Sequence, residues 1–108
     1  MTPAEFAQKI LWLGHNTDGT SDKIWGCLQL APAAPVLTFW GKRSGPWKFK
    51  PLSEYSGGTT YYEKSEEKRR EGYCLISPAR LGGGFAAELQ LTLSRTVLRD
   101  SFHNHPGA

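Results

Sequence analysis

Between Ile10 and Leu52 the chain is cut into short apolar and aromatic runs, each stopped by residues that a regular ladder does not tolerate. Ile10-Leu11-Trp12-Leu13 meets Gly14 and then the turn cluster Asn16-Thr17-Asp18-Gly19-Thr20. Lys23 to Leu30 meets Ala31-Pro32-Ala33-Ala34-Pro35, Val36 to Trp40 meets Gly41, and Trp47 to Leu52 follows Gly45-Pro46. Proline cannot donate to a ladder and biases its predecessor to extended backbone, so the breaks force turns. Short runs joined in this way fold as successive antiparallel strands.

After this the pattern changes. Thr60-Tyr61-Tyr62-Glu63 has the Thr-x-x-Glu form of a capping box, and Gly72 is placed to close a helix. The spacing predicts a helix over Tyr61 to Glu71 with Tyr61, Tyr62 and Ser65 inward. Tyr73 to Ile76 reads as a short strand stopped by Ser77-Pro78. Beyond Gly82-Gly83-Gly84, Leu89, Leu91 and Leu93 alternate as in a strand, while Phe85, Leu89, Leu93 and Val97 share a helical face. Periodicity leaves both open; Ala86, Ala87, Glu88, Gln90 and the segment's length favour helix. Met1 to Lys9 reads as a short lead or single helical turn, and Ser101 to Ala108 as a loose tail.

These elements make one α+β domain: an antiparallel sheet of four to five strands with one short helix and a C-terminal segment of either type. The 108 residues support a single core, expected over about residues 10–76, with 77–108 as a C-terminal extension. Leu11, Leu13, Leu28, Leu30, Leu37, Phe39, Leu75 and Leu89 are the expected core.

The net charge of +3 is small but uneven. Lys42, Arg43, Lys48 and Lys50 fall within nine residues that hold no acid, whereas Glu63 to Glu71 holds four acids and four bases and nets zero. That second run is expected to be a solvated helix face in which Glu66 and Arg70 attract and Glu67 and Glu71 repel. The first is a basic hairpin tip flanked by Trp40 and Trp47. It suits a polyanion that also offers flat rings or sugars, as nucleic acid does. The same lysines could instead guard an edge strand against aggregation, with the aromatics in the core.

The hairpin carries a family resemblance. Trp40-Gly41-Lys42-Arg43-Ser44-Gly45 resembles the Trp-Gly-Arg-x-Gly signature of the WGR domain, a small β-rich module of DNA-damage-activated poly(ADP-ribose) polymerases and of stand-alone or fused bacterial proteins. Upstream, Lys23 to Leu30 is similar to the family strand that ends Leu-Gln-Leu; downstream, Glu67-Lys68-Arg69-Arg70-Glu71-Gly72-Tyr73 resembles its basic helix end closed by Gly-Tyr. The likeness spans about residues 10 to 76. It departs from the family in the helix, which has Tyr and Ser where Ala and Phe are usual inside, and at Lys42, which replaces the arginine. The resemblance implies a non-catalytic module in which the tryptophan at position 40 stacks on a nucleotide at a DNA end. The arginine's bridging role between domains does not carry over to Lys42, which lacks the planar guanidinium fork.

Catalytic and metal chemistry find little purchase. Asn16, Asp18 and Asp22 around Gly19 lack the spacing and terminal Glu of a calcium loop. His103-Asn104-His105-Pro106 resembles the His-x-His-Pro core of JAB/MPN metallopeptidases, but the chain ends before their Ser-x-x-Asp. No Gly-x-Ser-x-Gly elbow occurs, Gly82-Gly83-Gly84 lacks the Lys-Ser/Thr of a phosphate loop, and the histidines show no obvious orienting acid. Cys27 and Cys74, alone in apolar contexts, are expected to be reduced. The reading is therefore no enzyme, no metal and no cofactor. Without a leader-like or membrane-spanning run, the expected location is the cytoplasm. The expected nucleic-acid-binding residues are Trp40, Lys42, Arg43, Trp47, Lys48, Lys50, Arg69 and Arg70, with DNA or RNA as partner. A protein partner on the same aromatic surface is the alternative.

Overall fold

The computed structural model describes residues 1–103, with side-chain surroundings for residues 1–97 apart from Ser56. The elements run α1 (Pro3–Ala7), β1 (Ile10–Asn16), β2 (Lys23–Leu28), β3 (Leu37–Lys42), β4 (Lys48–Pro51), α2 (Tyr61–Arg70), β5 (Cys74–Leu75) and α3 (Phe85–His103), with short 3-10 turns after β4 and before α3. The five strands form one antiparallel sheet in the order β4-β3-β2-β1-β5. The α+β class and antiparallel sheet are as the sequence predicts, and the C-terminal segment is a helix.

Two faces of the sheet carry different cargo. Ile24, Leu28, Phe39 and Leu13 point to one face, where Phe6 of α1, Trp47, Leu81 and the α3 residues Phe85, Leu89 and Leu93 bury them. This is the main core. The other face holds a smaller cluster of Trp12, Trp25 and Cys27, bordered by Val36, Trp40 and Tyr73. Because strand side chains alternate, the register fixes which residue joins which face: Trp25 opposes Trp40, and Trp40 opposes Lys48.

Several local features have simple causes. Thr2 and Glu5 form a complete capping box on α1. Thr60 caps α2 by accepting from Glu63 N, and Gly72, at φ +105°, ends the helix in a conformation side chains disfavour. Gly41 is needed for space: a Cβ there would lie 2.5 Å from the Pro46 carbonyl oxygen and 3.1 Å from the Trp47 ring.

The core differs from expectation at both ends. Helix α3 supplies buried members of the main core, so that core is not confined to residues 10–76. Leu11 is 40% exposed because a register shift between Ile10 and Trp12 makes it a bulge residue. Leu30 lies past the end of β2, and Leu75 sits on the two-residue edge strand at 61% exposure. On α2, Tyr61 and Tyr62 turn outward at 40% and 68% exposure, and only Ser65 of the expected inner face is buried. The stems of Lys64 and Lys68 lie inward instead, over aromatic rings. The helix-face ion pairs are Lys64–Glu67, Lys68–Glu71 and Glu66–Arg69, all at i,i+3 rather than i,i+4.

Cys27 and Cys74 are free thiols, the first buried and the second exposed. Burial pushes the Cys27 thiol up from 9.0 to about 12, against a smaller opposing effect of a backbone hydrogen bond at Trp12. The folded state therefore holds this proton where the unfolded chain has lost it. Stability falls as pH rises above 9, and the loss levels off near pH 12, at about 1.4 kcal/mol per pH unit for one group at most. In Cys27→Ala the slope of urea-unfolding stability against pH in this window is expected to be shallower than in the wild type.

Candidate nucleic-acid interface

The sheet face under α2 is where the basic residues converge. Thr38, Trp40 and Lys42 of β3 share it with Lys48 and Lys50 of β4 and with Lys23, Trp25 and Cys27 of β2, as the pairings Thr38↔Lys50, Trp40↔Lys48, Trp25↔Trp40 and Lys23↔Lys42 require. Helix α2 covers the β1–β2 side and leaves Trp40 half-buried beside the β4 lysines. Two lysines directly opposite on adjacent strands repel. Lys23 and Lys42 are such a pair, and an anion across them would relieve it.

The helix brings Lys64, Lys68 and Arg69 to the rim, each paired with a glutamate one turn away, so it adds polar contacts there without net positive charge. Lys64 lies 4.8 Å from the Tyr55 ring centre, with Lys50 4.3 Å from the same ring. Lys68 lies 5.8 Å from both Trp25 and Tyr73, and Arg69 lies 5.8 Å from Trp12. Such contacts hold the stems down while leaving ammonium groups at the surface. Between helix and sheet, Trp25, Trp40, Tyr55, Lys64, Lys68 and Tyr73 line a cleft of about 180 Å³. Tyr55 is fixed there by a 3.0 Å hydrogen bond between its hydroxyl and that of Thr38, which in turn donates to Lys50 O at 2.8 Å. Burial, with Glu71 adding to it, raises the Tyr73 hydroxyl above its ordinary range.

Of the expected site residues, Trp40, Lys42, Lys48 and Lys50 share this face. Arg69 lies over Trp12 beside it and pairs with Glu66 at 3.7 Å, and Arg70 is an exposed residue in the last turn of α2. Two others belong elsewhere. Trp47 is 7% exposed and packs edge-on against Phe85 in the main core, with ring centres 5.5 Å apart, so it cannot flank the hairpin tip as a contact residue. Arg43 turns the same way: its guanidinium reaches Leu81 O at 3.4 Å and lines a groove with Trp47, Phe85 and Glu88. Lys23, Trp25, Tyr55, Lys64, Lys68 and Tyr73 were not anticipated. For Lys23 and Trp25 a signal existed, since they alternate with Ile24 and Gly26 on β2; Tyr55 reaches the face through a loop that carries no periodicity.

Among the described residues no group of His, Cys, Asp or Glu is arranged to hold a metal ion, and no helix is long and apolar enough to cross a membrane. The His103-Asn104-His105-Pro106 segment lies outside the residues whose side chains are described. Comparison with protein-family models, curated proteins and solved structures finds no match for the chain.

Proposed function

We propose that the chain is a non-catalytic, WGR-like module that binds DNA without sequence preference and favours ends, nicks or single strands over intact duplex. The observation that carries this reading is a half-buried tryptophan, Trp40, set among lysines of three adjacent strands on one sheet face. Lysines meet phosphates, which every nucleic acid offers, whereas a tryptophan face meets a base or sugar only where the duplex is interrupted. The resemblance of residues 10–76 to the WGR pattern supports the same reading.

The test is a panel of single-stranded, nicked, blunt-ended and closed circular DNA, with RNA, at two salt concentrations. Interrupted DNA is expected to bind more tightly than closed circles, with affinity falling steeply with salt. Absence of binding to any nucleic acid at low salt would sink the proposal and leave the surface to a protein partner. Within this reading, replacing Lys48 and Lys50 together by Ala is expected to weaken all DNA alike. The slope of log K against log salt should fall by about one to two, at ~0.9 per lost phosphate contact on duplex.

A further inference from the structure

The sheet edge opposite the β4 lysines assembles a group that neither chain segment announces. Ile76 N donates to Leu13 O at 3.0 Å, and two residues along the same β1–β5 ladder His15 opposes Cys74. Ladder hydrogen bonds recur every second residue, so His15 and Cys74 are again joined through their backbones, with Cα atoms about 5.5 Å apart and side chains on one face, while the imidazole and the thiol make no hydrogen bond to each other. Both line an open groove of about 520 Å³ with Thr17, Ser77 and Arg80. His15 is held from behind, its Nε2 hydrogen-bonded to Asp22 Oδ1. A carboxylate only accepts, so Nε2 carries a proton, and in the neutral form of the ring Nδ1 is the nitrogen with the lone pair. The titratable groups of the groove are thus His15, Cys74 and Arg80, with Asp22 behind the imidazole. An orienting acid that the sequence did not disclose is in place.

From this arrangement we infer that Cys74 is a reactive thiol, built to form mixed disulfides with small disulfides that carry a carboxylate. The neutral His15 ring takes the Cys74 proton once a thiol rotation brings Sγ to Nδ1, with Asp22 as the positioning residue. Cys74 Sγ then attacks one sulfur of the incoming disulfide. The S–S bond breaks, a Cys74 mixed disulfide forms, and the proton on the imidazolium passes to the leaving thiolate where that is basic enough and otherwise to water. Arg80, on the groove wall, supplies the cation for the reagent's carboxylate. Cys27 does not compete, because it is buried. The inference is independent of DNA binding.

The experiment compares a dianionic aromatic disulfide, 5,5′-dithiobis(2-nitrobenzoate), with a neutral one, 4,4′-dithiodipyridine, on the folded protein at neutral pH. One thiol is expected to react fast and the other only on unfolding, with the fast phase absent in Cys74→Ser. His15→Ala should slow both reagents at least about tenfold, and free imidazole in the buffer should restore part of the rate. Asp22→Asn, at a side chain 56% exposed, should slow both by a smaller factor and carries the comparison if His15→Ala does not fold. Arg80→Gln should slow the dianionic reagent alone. The inference is overturned if folded Cys74 reacts no faster than the thiols of the urea-unfolded chain, or if neither His15→Ala nor Asp22→Asn changes the rate.

Discussion

Leu89→Ala is expected to remove about 2–5 kcal/mol of stability, the range for truncating a fully buried leucine. A chain ending at Gly82 is expected to lose its cooperative unfolding transition altogether. Leu89 has no exposed surface and sits with Phe85 and Leu93 on the stripe of α3 that closes over Leu13, Ile24, Leu28 and Phe39. A domain of this size has on the order of 5–15 kcal/mol in all. Removing three buried α3 side chains, and baring the sheet face beneath them, exceeds that reserve. Urea titration followed by circular dichroism tests both. A truncated chain that melts at the wild-type midpoint would show that the sheet, α1 and α2 stand alone and that α3 is an appendage.

The reason α3 reads as an extension in the sequence is physical. Leu89-Gln90-Leu91-Thr92-Leu93 satisfies a period of two and a period near four at once, so the pattern cannot say that Leu91 turns to solvent while Leu89 and Leu93 turn inward. Its burial depends on a sheet face formed by residues far away in the chain. The strands themselves were legible, because Gly and Pro bound them and their alternation is clean. The same alternation contained the assignment of the tryptophans. Trp47 alternates with Lys48 and shares its side with Phe49, and Trp40 shares its side with Lys42 and opposes Phe39 in parity. Their positions on either side of the tip hide that parity; the structure buries Trp47 and leaves Trp40 half-exposed.

Helix α2 shows the opposite difficulty. An apolar-face argument turns Tyr61 and Tyr62 inward, yet the surface they would cover is made of aromatic rings, which accept lysine stems and ammonium charge. Pattern rules weigh hydrophobicity and miss a packing partner that is an aromatic face. The pairing of His15 with Cys74, and the bond from His15 to Asp22, are set by strand order and a loop return. No local signal encodes a contact across 59 positions.

On the proposed DNA-binding reading, Trp40→Ala is expected to weaken binding to ends and single strands by about 1–3 kcal/mol, roughly 5- to 150-fold, while leaving closed circular duplex almost unchanged. On that reading the selectivity follows from what each group would touch. Lys42, Lys48 and Lys50 remain, so the phosphate contribution persists, and only the flat surface for an unstacked base is lost. Trp40 also borders the Trp12, Trp25 and Cys27 cluster, so the variant must first show a wild-type unfolding midpoint or a corrected folded fraction. Trp40→Phe keeps a smaller ring and should fall between. Trp47→Ala supplies the contrast: at 7% exposure against Phe85 it should cost about 3–5 kcal/mol of stability, yet whatever fraction folds should keep its preference for interrupted DNA. If instead the two variants lose end preference alike, selectivity does not reside in Trp40. If Trp40→Ala weakens closed circles as much as ends, the ring serves the fold or the electrostatics of the face rather than stacking. Only the divergent result, stability moving with Trp47 and end preference with Trp40, assigns the two tryptophans of one hairpin to opposite faces of the sheet in function as well as in structure.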